Sequence, residues 1–320
     1  MRKVRWGILG TARIAFKAFL PGLQNANNGV MVGIAGRSKD KVRQFIQHFP
    51  ALNPYSSYDD LLRDDQIDAV YIPLPNSMHL EWTLKALEQG KAVLCEKPLV
   101  LHAEEIKLIQ KASREHKKPV MEAFAYRHNP LVHEIKKAIN SNEIGDLRQI
   151  ISAFTFPLLN RPNDIRLSPA LGGGATYDVG CYPIHLMRTL TSQEPLNVQS
   201  RGVIKSGVDL SVSVMIDFPQ SITGFFHCGF DQPFRMVCEV SGTEGILVTE
   251  VPFNHQGRLN YRIRKNNEGW EDRWIESLSN YQLEAEQFGR VLLDGETPLI
   301  PLEDSYHNAR VIDMVLQGIH

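Results

Sequence analysis

Cysteine is scarce in this chain, and its spacing excludes several kinds of site. The 320 residues include four cysteines, at positions 95, 181, 228 and 238. No two of them form the Cys-x-x-Cys pair of a structural zinc site, and they suggest no disulfide framework. We therefore predict a cytoplasmic protein, kept in a reducing compartment, with no metal site.

Charge of one sign and long apolar runs are also lacking. The chain has 35 basic and 36 acidic side chains, and its net charge of -1 favours neither nucleic acid nor an anionic membrane as a partner. No apolar run approaches the roughly 20 residues that cross a bilayer. Arg5 and Arg13 interrupt the first apolar stretch, which therefore resembles no signal peptide. We expect a small-molecule ligand.

Two hydrophobic patterns divide the chain. Over the first third, apolar runs such as VRWGIL and IDAVYIPL alternate with amphipathic segments, which is typical of βαβ units. From about Leu147 the runs are longer and β-rich, for example RQIISAFTF and LSVSVMIDF. We predict an α/β fold with a Rossmann-type, doubly wound parallel sheet in residues 1–123. Residues 124–320 are predicted to form an α+β domain with a large open, mostly antiparallel sheet, whose last helix is a candidate to pack on the first domain.

The first strand runs into a turn of small residues. In GILGTARIA, the three small positions of a G-x-G-x-x-G/A turn are occupied by Gly10, Ala12 and Ala15. Such a turn binds a phosphate on the backbone N–H groups of the following helix. Ala12 departs from the pattern, and an ordinary strand-to-helix turn is the alternative. We predict that the cofactor phosphates bind the stretch Gly10, Thr11, Ala12, Arg13 and Ile14.

The end of the second strand distinguishes between cofactors. NAD sites usually present an acid there to the ribose 2′-OH, but the stretch IAGRSKDK has no acid before Asp40. Arg37 would instead bind a 2′-phosphate through charge-assisted hydrogen bonds, and Ser38 would donate another. The pattern favours NADP over NAD. The alternative is that these residues are merely solvated side chains in a loop that begins the next helix.

Two later strands end in polar residues. YIPLPNSMH carries Pro73, Asn76 and His79, and LCEKPL carries Glu96 and Lys97. Ligands of open parallel sheets bind beyond the carboxyl ends of the strands, so we predict that these five residues line the cofactor site. For His79 a structural role is the alternative. Lys97, beside an acid at the end of a buried strand, is expected to have a functional pKa.

A motif of the second domain offers the other catalytic groups. In GGGATYDVGCYPIHLMRTL, offsets of four and seven place Asp178, Tyr182 and His185 on one helix face, although Pro183 predicts a kink or a helix start. Hydride transfer needs a proton-exchanging group and a donor that steadies the oxygen. Tyr182 is the proton-exchange candidate, with Lys97 lowering its pKa. The reverse assignment of these two roles stays open.

Other polar side chains are candidates for binding substrate hydroxyl groups. Asp178 would orient a substrate hydroxyl or the catalytic lysine, with helix capping as its alternative. Arg127 in AYRHNP and Arg166 in NDIRLSP are candidates whose alternative is a domain-closing salt bridge. His185 is a further candidate, and burial among its apolar neighbours is the alternative for it.

Four stretches together resemble the Gfo/Idh/MocA oxidoreductase family. They are RWGILGTARIA, VYIPLPNSMHLEWTLKALEQGKAVLCEKPL, EAFAYRHNPLVHEIKK and GGGATYDVGCYPIHLMRTL, which span most of the first 190 residues. The most specific part is E-K-P followed by G-G-G-x-x-x-D-x-G-x-Y. Within the family, the likeness is to the dimeric dihydrodiol dehydrogenase and D-xylose dehydrogenase group.

The resemblance implies an NADP-dependent enzyme that oxidises a secondary alcohol of a sugar, polyol or vicinal diol. It implies that Lys97 and Tyr182 are the catalytic pair, that Pro98 follows a cis peptide, and that a homodimer or higher homo-oligomer forms through the C-terminal sheet. Relatives that act on inositol carry histidine at the place of Tyr182, which argues against inositol. Two alternatives remain: a redox-neutral enzyme that cycles its cofactor, and a non-catalytic NADP sensor.

Overall fold

The structure is a computed structural model that describes residues 2–161, 163–253 and 256–319. Two compact units make up the chain. The first comprises Met1–Ala125 and Ser279–Tyr306, and the second comprises Tyr126–Leu278 and His307–His320. No helix in the described ranges is long and apolar enough to cross a membrane.

The first unit contains a six-stranded parallel sheet. Its strands are β1 (Val4–Leu9), β2 (Gly29–Ala35), β3 (Asn53–Tyr55), β4 (Ala69–Ile72), β5 (Ala92–Glu96) and β6 (Val120–Ala123), in the order β3-β2-β1-β4-β5-β6. This is the doubly wound Rossmann order, in which the direction of winding reverses beside β1. The predicted parallel sheet is confirmed, and its ligand crevice is expected at the carboxyl ends of β1 and β4.

Helices cover the first sheet because each strand is apolar on both faces. They are α1 (Leu20–Asn25, preceded by the π-helical turn Ala15–Phe19), α2 (Lys39–His48), α3 (Tyr58–Arg63), α4 (His79–Glu88), α5 (Glu105–His116) and α8 (Asn280–Leu293), numbered in chain order. Aromatic rings pack beneath them: Phe19 stacks on Tyr71 with centroids 3.8 Å apart, and Trp6 lies 5.4 Å from Phe19.

One chain segment differs from the predicted domain division. Residues 279–306 were assigned to the second domain, but they belong to the first unit. Gly22 of α1 makes this packing possible, because a Cβ there would lie 2.7 Å from the backbone nitrogen of Gln282 in α8. The ring of Phe288 then reaches Trp6, with centroids 5.7 Å apart. The final helix, α9 (Leu302–Gln317), starts in the first unit and ends in the second.

The second unit contains an eight-stranded sheet. Its strands are β7 (Leu147–Thr155), β8 (Asn197–Lys205), β9 (Val208–Phe218), β10 (Ile222–Gly229), β11 (Arg235–Gly242), β12 (Gly245–Thr249), β13 (Gly257–Lys265) and β14 (Glu271–Ser277), in the order β14-β13-β12-β11-β7-β10-β9-β8. All pairs are antiparallel except β7 with β10. The predicted large, mostly antiparallel sheet is confirmed.

Two helices of the second unit matter for the site. α6 spans Pro130–Asn140, and α7 spans Cys181–Thr191 after the π-helical turn Thr176–Gly180. Pro183 lies in the first turn of α7, close to its junction with the π-helical turn. The helix start that the proline predicted is therefore present. Because a π-helical turn precedes α7, the simple offsets of four and seven do not describe this segment.

Candidate active site

The turn after β1 can adopt its shape only because Gly10 has no side chain. Gly10 has φ +121°, and a Cβ there would lie 3.0 Å from Cδ2 of Leu74. Its N–H donates to the carbonyl of Ala35 at 2.8 Å, which fixes the turn against β2. Helical residues begin at Arg13, so the first N–H groups of this helix have no acceptor within it. The stretch from Thr11 to Ile14 therefore fits a cofactor phosphate.

The end of β2 presents a free cation. Within the described ranges, the exposed Arg37 makes no hydrogen bond or ion pair. Burial raises the pKa of Tyr58, and the nearby Arg37 charge opposes that rise. Ser38 caps α2 by accepting a hydrogen bond from the backbone N–H of Lys41 at 3.3 Å, which leaves its own hydroxyl hydrogen to donate. These groups fit a 2′-phosphate better than a bare 2′-hydroxyl.

Lys97 lies in a loop whose backbone is held by buried side chains. Lys97 itself is half-buried and follows the last residue of β5, and the Lys97–Pro98 peptide is cis, as the resemblance implied. The carbonyl of Pro98 lies 2.8 Å from Nδ1 of His79. The N–H of Leu99 donates to Glu122, in β6, at 2.9 Å, and that carboxylate is 2 % exposed. The two residues that follow Lys97 are thereby attached to α4 and to the sheet.

His79 helps to hold the Lys97 loop through contacts with two backbone carbonyls. Its ring is completely buried, and Nε2 lies 2.8 Å from the carbonyl of Leu74. Burial lowers the pKa of His79, and the contacts with the Pro98 and Leu74 carbonyls oppose that change. Both ring nitrogens face backbone carbonyls, which gives His79 a positioning contact with the loop, and its predicted cofactor contact stays a prediction. Asn76 and Pro73 lie just before it, at the end of β4, and Asn76 is half-buried.

Glu96 is likewise engaged by the protein. The Tyr71 hydroxyl donates to its Oε1 at 2.5 Å, and the N–H of Lys97 donates to its Oε2 at 3.4 Å. These bonds hold Glu96 against the Lys97 loop, and its predicted contact with the cofactor stays a prediction. Glu284 of α8 is completely buried, and neither of its oxygens has a hydrogen-bond partner among the described residues. Burial, and then the Glu96 charge, raise the pKa of Glu284 well above its usual range.

In the second unit, three aromatic rings surround Tyr182. Its ring centroid lies 5.8 Å from that of Tyr126, 5.4 Å from Phe154 and 5.3 Å from Phe253. These contacts orient the half-buried phenol. His185 is completely buried, and its Nδ1 lies 2.7 Å from the Tyr126 hydroxyl. His185 therefore supports the aromatic cluster, and its predicted contact with substrate stays a prediction.

Asp178 and Arg166 form an ion pair beside this cluster. The Arg166 Nε donates to Oδ2 of Asp178 at 2.6 Å, and its Nη1 lies 3.3 Å from Asp164. The Asp178 carboxylate raises the pKa of Arg166. The Asp178 side chain is 14 % exposed and that of Arg166 is 40 % exposed. Arg127 is half-buried, and its Nε has no hydrogen-bond partner in the described part of the chain.

The structure thus brings the predicted residues together within each unit. Gly10, Pro73 and Lys97 lie at the carboxyl ends of β1, β4 and β5, whereas Tyr182 and Asp178 lie at the start of α7. Lys97 and Tyr182 belong to different units, and their pairing stays a prediction. The described residues contain no group of His, Cys, Asp or Glu side chains that would hold a metal ion.

Sequence reasoning missed several supporting residues. Tyr71 and Tyr126 look like ordinary core aromatics in the sequence, and Glu122 and Asp209 look like polar interruptions of strands. Glu284 did leave a signal, because an acid stands beside Ala285 on the apolar face of the late helix.

Comparison with known families agrees with this arrangement. Residues 4–124 match the GFO/IDH/MocA model described as an oxidoreductase family with an NAD-binding Rossmann fold. Residues 132–248 match the C-terminal domain of the same family. The chain belongs to the GFO/IDH/MocA oxidoreductase family. The predicted family, the enzyme class and a nicotinamide dinucleotide cofactor are therefore confirmed.

Individual relatives extend over nearly the whole chain. D-xylose 1-dehydrogenase (NADP(+)) 2 of Haloferax volcanii is 32% identical over 98% of this chain and 96% of its own. Trans-1,2-dihydrobenzene-1,2-diol dehydrogenase of Xenopus laevis is 28% identical over 98% of each chain. Among solved structures, KijD10, a 3-ketoreductase from Actinomadura kijaniata in complex with NADP and TDP-benzene, is 28% identical, with a TM-score of 0.93 over 100% of this chain and 98% of its own.

Proposed function

We propose that this GFO/IDH/MocA protein transfers a hydride between NADP and the carbinol carbon of a sugar, polyol or vicinal diol. The observation that carries the proposal is the Lys97 loop. The half-buried Lys97 stands at the end of a parallel strand. The Pro98 carbonyl contacts the buried His79 ring, and the Leu99 N–H donates to the buried Glu122. A fixed donor at that place is what a reacting hydroxyl or carbonyl oxygen requires. The relatives named for D-xylose and for a dihydrodiol support the substrate class.

NADP is proposed over NAD because of the charges at the end of β2. Arg37 is exposed and makes no ion pair within the described ranges. The first acid after it, Asp40, lies 3.1 Å from Arg43 and is thus engaged elsewhere. A guanidinium without a competing carboxylate favours a 2′-phosphate. The NADP named for the xylose dehydrogenase and for KijD10 supports the same choice.

The roles of the catalytic residues follow from their chemistry. The nicotinamide supplies or accepts the hydride when it is bound. During oxidation, the Tyr182 phenolate removes the hydroxyl proton of the substrate, and the Lys97 ammonium steadies the oxygen as a carbonyl forms. A phenol ordinarily titrates near ~10, so the positive charge of Lys97 assists by favouring the phenolate. Asp178, oriented by Arg166, binds a neighbouring substrate hydroxyl, and Arg127 is a second candidate for that contact.

A substrate panel tests this proposal directly. Sugars, polyols and diols are incubated with catalytic protein and excess NADP or NAD, and the absorbance of the reduced nicotinamide is followed. We expect a steady increase with NADP for at least one substrate. Tyr182→Phe should lower kcat by about 10²-fold to 10⁴-fold, whereas Tyr261→Phe, at a buried tyrosine in β13 of the same unit, should leave kcat nearly unchanged.

Three results would contradict the proposal. Product formation without net nicotinamide reduction would indicate a redox-neutral cycle. NADP binding without turnover on any substrate would indicate a sensor. Full activity of Tyr182→Phe would remove the assigned proton-exchanging group.

We also propose that two copies associate through the outer face of the second sheet. Ile151 of β7 is 36 % exposed, and Met215 and Phe225 on neighbouring strands are half-buried beside it. Such an apolar face is stabilised when a second surface covers it. Light scattering coupled to size exclusion should report a dimer, or a higher oligomer. A monomer at micromolar concentration would contradict this assembly.

A further inference from the structure

Asp209 is a buried carboxylate that sequence reasoning did not single out. It lies near the start of β9 and is 6 % exposed. Its Oδ2 accepts hydrogen bonds at 2.7 Å from both the backbone N–H and the hydroxyl of Thr176, which is itself completely buried. Thr176 is the first residue of the π-helical turn that carries Asp178 and leads into α7. A carboxylate of a distant strand therefore holds the start of this segment.

Gly174 shows how closely the carboxylate approaches the chain. Its φ is +128°, and a Cβ there would lie 2.1 Å from Oδ1 of Asp209. Gly173 is similarly crowded, because its Cβ would lie 2.5 Å from the carbonyl oxygen of Arg166. The structure shows that other parts of the protein occupy the space beside both of them.

Hydrogen bonds from the protein partly offset the burial of the Asp209 carboxyl group. Burial raises the pKa of Asp209, and hydrogen bonds from Thr176 and from the backbone N–H of Ala175 oppose that rise. Backbone N–H groups at the start of a helix also attract a negative charge. Replacing the carboxylate by a group that accepts fewer hydrogen bonds leaves buried donors unpaired, which is costly.

We propose that Asp209 is a positioning residue for the reaction. Its carboxylate fixes the glycine run and the π-helical turn, and thereby sets the place of the Tyr182 ring at the start of α7. This inference rests on the proposed function, because it requires Tyr182 to take part in proton exchange. Geometric errors of about 1 Å at a reacting group can lower a rate about 100-fold, so a loss of this anchor should be visible in kcat.

The test is a double-mutant cycle that joins Asp209→Asn to Tyr182→Phe. With Tyr182 present, Asp209→Asn should lower kcat about 10-fold to 100-fold. The dissociation constant of NADP should not change, since the cofactor turn belongs to the first unit. In the Tyr182→Phe background the same substitution should lower kcat no further, because it acts through that phenol. Asp217→Asn, at the far end of β9 where the side chain bonds Asn197, is the matched control.

A milder variant keeps the test informative if Asp209→Asn folds poorly. Thr176→Val removes only the hydrogen bond of the Thr176 hydroxyl and should lower kcat about 3-fold. In the Tyr182→Phe background it should lower kcat no further. Unchanged kcat in Asp209→Asn, or an equal loss in both backgrounds, would refute the positioning role alone. Full activity of Tyr182→Phe would instead refute the proposed function on which that role depends.

Discussion

Replacing Glu284 by glutamine should change how the stability of the protein depends on pH. Glu284 is completely buried, and neither carboxylate oxygen has a hydrogen-bond partner among the described residues. Burial and the Glu96 charge both raise its pKa well above its usual range. The folded protein therefore keeps this proton at a pH at which the unfolded chain has lost it.

The sign and size of the effect follow from proton linkage. Because the folded pKa is raised, the stability that the proton provides is complete below the unfolded pKa, near ~4.3. It is lost as the pH rises from there towards the folded pKa. In that window each pH unit removes about 1.4 kcal/mol from the free energy of unfolding. Glutamine has no proton to lose, so the free energy of unfolding of Glu284→Gln, relative to the original protein, should rise by about 1.4 kcal/mol for each pH unit within that window.

Urea unfolding of both proteins at several pH values measures this difference, with tryptophan fluorescence as the signal. Trp6 is a suitable reporter because it is buried and contacts Phe288 of α8. Glu286→Gln makes the same chemical change two residues later, at a half-buried side chain that accepts a bond from Asn27, and should show no such pH dependence. A difference between Glu284→Gln and the original protein that stays constant with pH would refute a buried neutral acid.

Two further predictions concern the cofactor turn and the Lys97 loop. Arg37→Ala should raise the dissociation constant of NADP by about 10-fold to 100-fold and leave that of NAD unchanged in fluorescence titrations. Arg114→Ala, at an exposed arginine in the last turn of α5, should change neither. An equal loss for both cofactors would contradict the 2′-phosphate assignment. His79→Ala removes the ring that faces the Pro98 carbonyl. It should lower kcat, and it should lower the free energy of unfolding by about 2–4 kcal/mol. An unchanged kcat in steady-state assays would contradict the positioning role of His79.

Several features could be predicted because their physical cause is local in the chain. Alternating apolar and amphipathic segments determine the parallel sheet, and long β-rich runs determine the antiparallel one. The φ of +121° at Gly10 is accessible because glycine has no Cβ. Short sequence motifs were sufficient to identify Lys97 and Tyr182 as catalytic candidates. Their amine and phenol groups suit proton exchange and oxygen binding, and the motifs place them at a strand end and in a helix turn.

Two histidines show how contacts within the protein depend on partners that are distant in the chain. His79 was predicted to bind the cofactor, but the Leu74 and Pro98 carbonyls surround its ring. His185 was predicted to contact substrate, but it packs against Tyr126, which is 59 residues away in the chain. A histidine has the same sequence signature in both situations. Only the folded chain determines whether its nitrogens face the protein interior or a ligand.

The sequence by itself determined features that are local in the chain, and the tertiary structure decided the contacts between distant segments. Residue periodicity and composition were sufficient for the two sheets, the glycine turn and the chemical types of the candidate catalytic groups. The supporting contacts were not predictable, because they join segments far apart: Asp209 bonds Thr176 across 33 residues, and Glu122 bonds Leu99 across 23. A buried carboxylate is stable only where folding supplies hydrogen-bond donors for it. Tertiary packing determines which donors lie beside it.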